Sequence, residues 1–190
     1  MPTVQDIDET QSDWQEGTLT DVVGTSDGEL ELGGRYQDYF ERSNSTDVGN
    51  GWEEYNDGGD WDIYNEQLRS IDTDSSGYGY IINPSWGEYS DCVVKWRVKY
   101  TGSADWGGVV LRSNSDVSSK YHVDVNPSRF GVRGGNFPSS TDNGFGYGNW
   151  YNVEVRIEGY HVYIYVDGTL EWDGADSDST YDSGYIGLVS

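Results

Sequence analysis

The chain of 190 residues has little positive charge, one cysteine and no long apolar run. Its 11 Lys and Arg stand against 34 Asp and Glu, a formal charge of −23. This imbalance argues against nucleic acid or an anionic membrane as a partner, since both bind through Lys and Arg. No apolar run approaches the roughly 20 residues of a membrane span, so membrane insertion is not expected. A lone Cys92 excludes an internal disulfide and a cysteine metal cluster.

Helical patterning is missing as well. Instead, apolar and polar residues alternate with period two in many short segments rich in Val, Ile, Tyr and Trp. The predicted strands are 36–41, 61–64, 67–71, 79–82, 89–100, 107–113, 120–126, 128–133, 150–158, 160–167, 169–172 and 184–189. Asp167-Gly168 is a strong signal for a two-residue hairpin turn. The sequence therefore predicts an all-β, antiparallel two-sheet sandwich whose strands bury one face and leave the other to solvent or ligand.

The first 34 residues differ from the rest, so we divide the chain into an arm (1–34) and a jelly-roll domain (35–190). Segments 18–23 and 29–32 predict a small hairpin within the arm. Two roles stay open: the arm lies along the sandwich, or it docks onto another subunit, which predicts a homo-oligomer. The candidate docking residues are Trp14, Leu19, Val22, Leu30 and Leu32.

The acidic residues are spread along the chain, and only three of the cations are Lys: Lys95, Lys99 and Lys120. A dispersed acidic surface with little Lys is typical of halophilic proteins, because molar salt, with a Debye length of about 3 Å, screens the self-repulsion. We therefore predict that the fold loses structure in low salt. An ordinary acidic protein and a Ca²⁺-binding surface domain are the alternatives.

Six short blocks follow one another in the larger part of the chain. They are 38–42 (DYFER), 51–68, 106–123 (beginning WGGVVLRS), 150–155 (WYNVEV), 162–168 (VYIYVDG) and 184–188 (GYIGL). Together they resemble the concanavalin A-like lectin/glucanase superfamily, especially laminin-G-like domains and carbohydrate-binding modules. The resemblance implies a jelly roll of two curved antiparallel sheets. It does not assign a function, because that fold carries lectins, hydrolases, adhesins and scaffolds.

Catalytic motifs are weak. Glucanases of this superfamily carry Glu-x-Asp-x-(x)-Glu on one strand, where two carboxylates flank the scissile bond. The nearest match, Glu171-Trp172-Asp173-Gly174-Ala175-Asp176, ends in Asp and runs into an acidic loop. His122 and His161 have no nucleophile motif beside them and are interpreted as exposed sheet-face residues. We therefore predict that the protein is not an enzyme.

Ligand contacts are expected on the polar faces of the central strands, where several Arg collected on one face can make bidentate contacts to carboxylates or sulfates. The candidates are Arg97, Arg112, His122, Asp124, Arg156, Tyr163 and Tyr165. The alternative is that these Arg pair with nearby carboxylates and only hold the sheet together. Loop 136–150 supplies a second candidate through Phe145 and Tyr147, unless its aromatics fold under the rim of the sandwich.

A structural Ca²⁺ near the first strand is implied by the resemblance, with Asp38 placed like one ligand. Such a site needs 6–8 oxygens gathered from several loops. No other cofactor is predicted.

Residues 1–6 lack a basic segment followed by an apolar one, so no secretion signal is expected. The leading hypothesis is a structural protein of a haloarchaeal virus. It would project from the virion surface as a turret, spike or tail fibre, contact other virion proteins and bind a host cell-surface glycan. The alternatives are a carbohydrate-binding module of a secreted haloarchaeal enzyme or adhesin, and a purely structural, self-assembling jelly roll.

Overall fold

The computed structural model describes residues 19–25, 36–56, 59–72, 78–100, 107–141 and 144–190. These residues form fourteen strands and a 3-10 helix at Pro84–Trp86. The strands are β1 Leu19–Thr25, β2 Tyr36–Asp38, β3 Glu53–Asn56, β4 Gly59–Ile63, β5 Leu68–Asp72, β6 Gly79–Ile82, β7 Asp91–Val98, β8 Gly108–Ser113, β9 Tyr121–Asn126, β10 Arg129–Arg133, β11 Tyr151–Glu158, β12 His161–Val166, β13 Thr169–Ala175 and β14 Tyr185–Val189. Within this described part, no helix has the length and apolar character needed to span a membrane.

Two six-stranded sheets make up the sandwich. Sheet I has the order β13-β12-β11-β7-β1-β2, sheet II has the order β10-β9-β8-β14-β6-β3, and β4 and β5 form a separate hairpin. Neighbouring strands are antiparallel throughout. The predicted all-β, antiparallel two-sheet sandwich is confirmed. Strand β3 escaped prediction because its Glu-Glu-Tyr-Asn sequence has no apolar alternation; it pairs with β6 at the sheet edge.

The core lies between the inner faces of the two sheets. Val94, Val155 and Ile164 are in register across β7, β11 and β12, and all three are fully buried. Their polar neighbours along each strand point outward, as period two requires. Full burial of each such side chain contributes about 1.5–3 kcal/mol relative to exposure.

A two-residue turn joins β12 to β13. Asp167 and Gly168 have φ of 46° and 79°, the pair of positive φ values that defines a type I′ turn and matches the twist of a hairpin. The turn predicted from Asp167-Gly168 is confirmed.

The part of the arm that the structure describes is β1. It lies inside sheet I, between β7 and β2, with Leu19 paired to Trp96 and Val22 paired to Val94. Trp14, Leu30 and Leu32 lie outside the described residues, as does the second strand expected at 29–32. Docking by the arm stays a prediction.

Candidate functional site

Sheet II buries both of its faces at β8 and β9, whereas the sequence pattern predicts one exposed face. His122 is 6%, Asp124 1% and Asn126 0% exposed. Over this outer face, Val117 from the loop after β8 and Tyr80 of β6 pack in one cluster with other apolar side chains. The expected exposure of His122 and Asp124 is wrong, because a loop and aromatic rings cover the polar face of β9.

Arg133 holds the carboxylate of Asp124 through two hydrogen bonds. Its Nε donates to Oδ2 at 2.8 Å and its Nη2 donates to Oδ1 at 2.5 Å. The Nη1 of Arg133 donates to the Tyr78 hydroxyl at 2.8 Å, and His122 Nε2 lies 3.4 Å from Asp124 Oδ1. The β9–β10 register pairs Arg133 with His122 and leaves Asp124 two residues along the same face. The guanidinium is thus fixed by the buried Asp124 and the partly buried Tyr78.

Burial governs the charge state of the two titratable groups on β9. It lowers the pKa of His122 below its ordinary value, and the hydrogen bond and charge of Asp124 offset only part of that effect. Burial opposes ionisation of Asp124 too, but hydrogen bonds from His122 and Arg133, together with their charges, hold the pKa of Asp124 below its ordinary value. Around neutral pH the cluster therefore contains a neutral imidazole beside an ionised carboxylate.

An open pocket of about 200 Å³ lies against this cluster. Its lining residues are Tyr80, Ser118, Lys120, His122, Arg133, Gly134 and Tyr181. The Lys120 Nζ donates to the Val117 carbonyl oxygen at 2.5 Å and lies 4.3 Å from the ring centroid of Tyr80. None of these described lining residues is acidic, although the chain has about three acids for every base.

Gly134 lets the chain leave β10 close to Lys120. Its φ is +100°, and a Cβ at this position would lie 2.1 Å from the Lys120 carbonyl oxygen. Any larger residue would be strained in φ and would clash with backbone, so glycine is required here. The close approach brings the end of β10 against the start of β9, which shapes the pocket wall.

The residues predicted to form one ligand face divide between the two sheets. Arg97, Arg156, Tyr163 and Tyr165 lie on the outer face of sheet I, whereas His122 and Asp124 belong to sheet II. The expectation of a single face is wrong, because strand order separates β7, β11 and β12 from β9.

Aromatic rings on the sheet I face already have partners. The Arg97 guanidinium lies 4.9 Å from the Trp150 centroid, and that of Arg156 lies 5.1 Å from the Tyr165 centroid. Tyr163 stacks on His161 at 4.4 Å between centroids. Arg156 also forms an ion pair with Glu154. These contacts match the alternative in which arginines hold the sheet together.

Arg112 is part of the framework rather than of an open surface. It is 4% exposed and donates to the carbonyl oxygens of Ser90 at 2.7 Å, Tyr181 at 2.6 Å and Gly159, with Asp91 Oδ1 at 3.3 Å. Its predicted place on an accessible ligand face is wrong, because these partners surround the guanidinium inside the protein.

The two aromatic residues expected in the recognition loop behave differently. Phe145 is 8% exposed and stacks on Tyr151 with 4.3 Å between ring centroids, so the predicted exposure of Phe145 is wrong and it belongs to the core. Tyr147 is 46% exposed. The loop therefore folds one of its two candidate rings under the sandwich.

Asp38 does not fit a Ca²⁺ ion. Its carboxylate accepts hydrogen bonds from both Nη atoms of Arg42, from Phe40 N, Asn50 Nδ2 and Trp52 Nε1. A cation would have to displace the Arg42 guanidinium and face the other donors. Elsewhere in the described residues, no group of three or more His, Cys, Asp or Glu is placed to hold a metal ion.

Sequence reasoning missed Tyr78, Tyr80, Lys120 and Arg133. For Arg133 a signal existed: segment 128–133 is a predicted strand directly after 120–126, and a tight hairpin between them sets Arg133 opposite His122. Tyr78 and Tyr80 reach the site through sheet order, since β6 is separated from β9 by β14 and β8. No local pattern indicates that neighbourhood.

Comparisons with known proteins identify a matching family and a similar solved structure. A family model described as a 3-keto-alpha-glucoside-1,2-lyase-like domain matches residues 35–190. Among solved structures, the chain is similar to the carbohydrate-binding module CBM66 from Bacillus subtilis, with a TM-score of 0.60 and 21% identity over 74% of this chain and 87% of that chain. At this identity the similarity establishes the fold, which confirms the concanavalin A-like, module-type jelly roll. No curated protein matches the chain.

Proposed function

The chain belongs to the family of 3-keto-alpha-glucoside-1,2-lyase-like domains, and from this premise we propose that it is a carbohydrate-binding domain that binds a sugar without cleaving it. The observation that carries the proposal is the pocket on the outer face of sheet II, with its fixed Arg133 and its aromatic wall. The fold it shares with the CBM66 module supports the same function. We therefore propose this pocket as the ligand site, instead of the exposed strand faces that the sequence predicts.

Sugar recognition requires fixed polar groups that read hydroxyls, together with aromatic surface against the C–H faces of the ring. The pocket offers Arg133, Lys120 and Ser118 as polar groups, and Tyr80 and Tyr181 as aromatic ones. Its volume of about 200 Å³ is below the roughly 300–1,000 Å³ of pockets for drug-sized ligands. We therefore assign it to a single sugar residue rather than to a long oligosaccharide.

The virion hypothesis depends on the composition of the chain and on its N-terminal arm. Neither the family match nor the similarity to CBM66 supports it. We propose separately that the chain is a structural protein of a haloarchaeal virus with other virion proteins as partners. A homo-oligomer is also a separate proposal. The particle or complex in which the chain occurs tests both. The carbohydrate-binding module is the alternative hypothesis from the sequence, and the fold and the pocket support it.

A second candidate function, catalysis on a 3-keto-α-glucoside, has one observation in its favour. His122 lines the pocket and lies 3.4 Å from the buried carboxylate of Asp124, an arrangement of a base with an orienting acid. Against it, Asp124 is committed to Arg133 in a bidentate ion pair. Consumption of a 3-keto-α-glucoside by the protein, abolished by His122→Gln, would favour catalysis over binding.

The proposal is tested by a glycan array followed by calorimetry with the best ligands. Ser118 is exposed at the pocket, so Ser118→Trp introduces a ring into the opening without filling the core. We expect this variant to lose sugar binding. Leu170→Trp is the matched control, because Leu170 is 47% exposed on β13 of sheet I, and it should bind as the wild type does.

Two results would contradict the proposal. One is that no glycan binds at any salt concentration that keeps the protein folded. The other is that a glycan binds, but Leu170→Trp removes the binding and Ser118→Trp does not, which would place the ligand on sheet I.

A further inference from the structure

Resting on the proposed function, we propose that the sugar bound on sheet II carries an anionic group, a carboxylate or a sulfate ester, which Lys120 and Arg133 contact together. The proposal thus specifies the chemical class of the ligand, an anionic sugar, for the pocket described above. The inference follows from the charges that line the pocket and from the way in which two cations are held there.

Charge at the pocket has the opposite sign to charge on the chain as a whole. Lys120 and Arg133 are two of only 11 Lys and Arg in a protein with 34 Asp and Glu. The residues that line the pocket include no acid, and the nearest carboxylate on β9, Asp124, is 1% exposed behind Arg133. One carboxylate lies at the rim of the pocket, because the Ser118 hydroxyl donates to Asp116 Oδ1 at 2.6 Å. Among the lining residues themselves the charged side chains are Lys120 and Arg133, and both attract an anion.

The buried Asp124 and the partly buried Tyr78 orient Arg133. The Asp124 carboxylate accepts hydrogen bonds from Nε and Nη2 of Arg133, and the Tyr78 hydroxyl accepts one from Nη1. Arg133 nevertheless lines the pocket, and its side chain is 37% exposed although the Asp124 side chain is 1% exposed. Asp124 and Tyr78 hold it there before any ligand arrives, which reduces the entropy lost on binding.

Lys120 is fixed as well. Its ammonium donates to the Val117 carbonyl oxygen at 2.5 Å and lies 4.3 Å from the Tyr80 centroid. Charge-assisted hydrogen bonds are about twice as strong as neutral ones. A hydrogen bond to a charged group contributes about 1.5–3 kcal/mol, so we expect an anionic sugar to bind at least about tenfold more tightly than its neutral analogue.

Matched sugar pairs test this inference by calorimetry at pH 7 and constant ionic strength. Methyl glucuronide is compared with methyl glucoside, methyl galacturonide with methyl galactoside, and glucose 6-sulfate with glucose. Each pair differs at C6 alone. We expect the anionic member of at least one pair to bind at least about tenfold more tightly, and the pair concerned distinguishes a carboxylate from a sulfate ester. Added NaCl should reduce the preference, because it screens the attraction.

Lys120→Gln removes one charge without leaving Asp124 unpaired. It should weaken binding of the anionic sugar about tenfold and leave the neutral sugar nearly unchanged. Lys99→Gln is the matched control, because Lys99 also lies near a ring, 5.9 Å from the Trp150 centroid, but on β7's side of the sandwich. It should change neither affinity, and circular dichroism verifies that both variants fold.

The outcomes separate this inference from the function on which it rests. Equal or tighter binding of the neutral members would overturn the anionic ligand, and an anionic preference unaffected by Lys120→Gln would overturn its contact with Lys120 in this pocket. Either result leaves the carbohydrate-binding domain in place. Failure of every sugar, neutral and anionic, to bind would overturn both.

Discussion

Replacing Arg133 by Gln should destabilise the fold far more than the same replacement at Arg156. Both arginines pair with a carboxylate and have similar exposure, with side chains 37% and 42% accessible. Their partners differ: the Asp124 side chain is 1% exposed, whereas the Glu154 side chain is 18% exposed. Glu154 also forms an ion pair with Lys95 at 3.0 Å. The two variants therefore compare a buried carboxylate that loses its arginine with a half-buried carboxylate that keeps a second cation.

The expected cost follows from what each carboxylate loses. Removing one partner of a fully buried ion pair costs about 3–5 kcal/mol, while an exposed pair contributes about 0–1 kcal/mol. Because water reaches part of Arg133, we expect Arg133→Gln to lower the free energy of unfolding by about 2–4 kcal/mol and Arg156→Gln to lower it by less than about 1 kcal/mol. Arg133→Gln combined with Asp124→Asn should recover much of the loss, since it removes the unpaired buried charge.

Urea unfolding followed by tryptophan fluorescence measures these differences. Urea is preferred to guanidinium chloride because it leaves the ionic strength unchanged. If Arg133→Gln costs no more than Arg156→Gln, the account of Asp124 as a buried carboxylate stabilised by Arg133 is wrong.

Four further predictions concern the pH dependence of stability, its salt dependence and one buried carboxylate. Since the folded pKa of His122 is lowered, stability should decline as pH falls below the unfolded value of about 6.5, and His122→Asn should reduce that decline in urea titrations. The pKa values of the Asp38 and Asp176 carboxyls are lowered in the folded protein, so the stability they contribute is present above a pH of about 4 and lost in stronger acid. An acid titration in which stability does not fall again below this pH would contradict the prediction. Thermal unfolding should show a higher melting temperature in molar salt than in dilute buffer, and a melting temperature independent of salt would contradict the halophile interpretation. Asp176→Asn should cost about 1–3 kcal/mol, because its buried carboxylate accepts from Tyr121 Oη and three backbone amides; a change below the error of chemical denaturation would count against that.

Much of the fold could be predicted from local pattern. Alternation along 150–158 and 160–167 identifies both strands and their buried residues, and Asp167-Gly168 identifies the turn that follows. β3 could not be found in this way, because it is an edge strand without an apolar face. Its place is set by pairing with β6, a contact with no local signature.

The candidate site was predictable only in part. Period two correctly puts His122 and Asp124 on the same face of β9, opposite Tyr121 and Val123. What covers that face depends on sheet order, which brings Tyr80 of β6 and the loop after β8 over it. The sequence pattern treats Arg97 and Arg133 alike, as cations on strands. The order of the strands separates them.

The most direct test of the account is to map sugar binding residue by residue. Amide chemical shifts of the labelled protein are followed by NMR while a saccharide from the array is added. We predict that the perturbed amides cluster at the residues that line the pocket, which are Tyr80, Ser118, Lys120, His122, Arg133, Gly134 and Tyr181. Perturbations centred on Arg97, Arg156 and Tyr165 of sheet I, or none at saturating sugar, would contradict it.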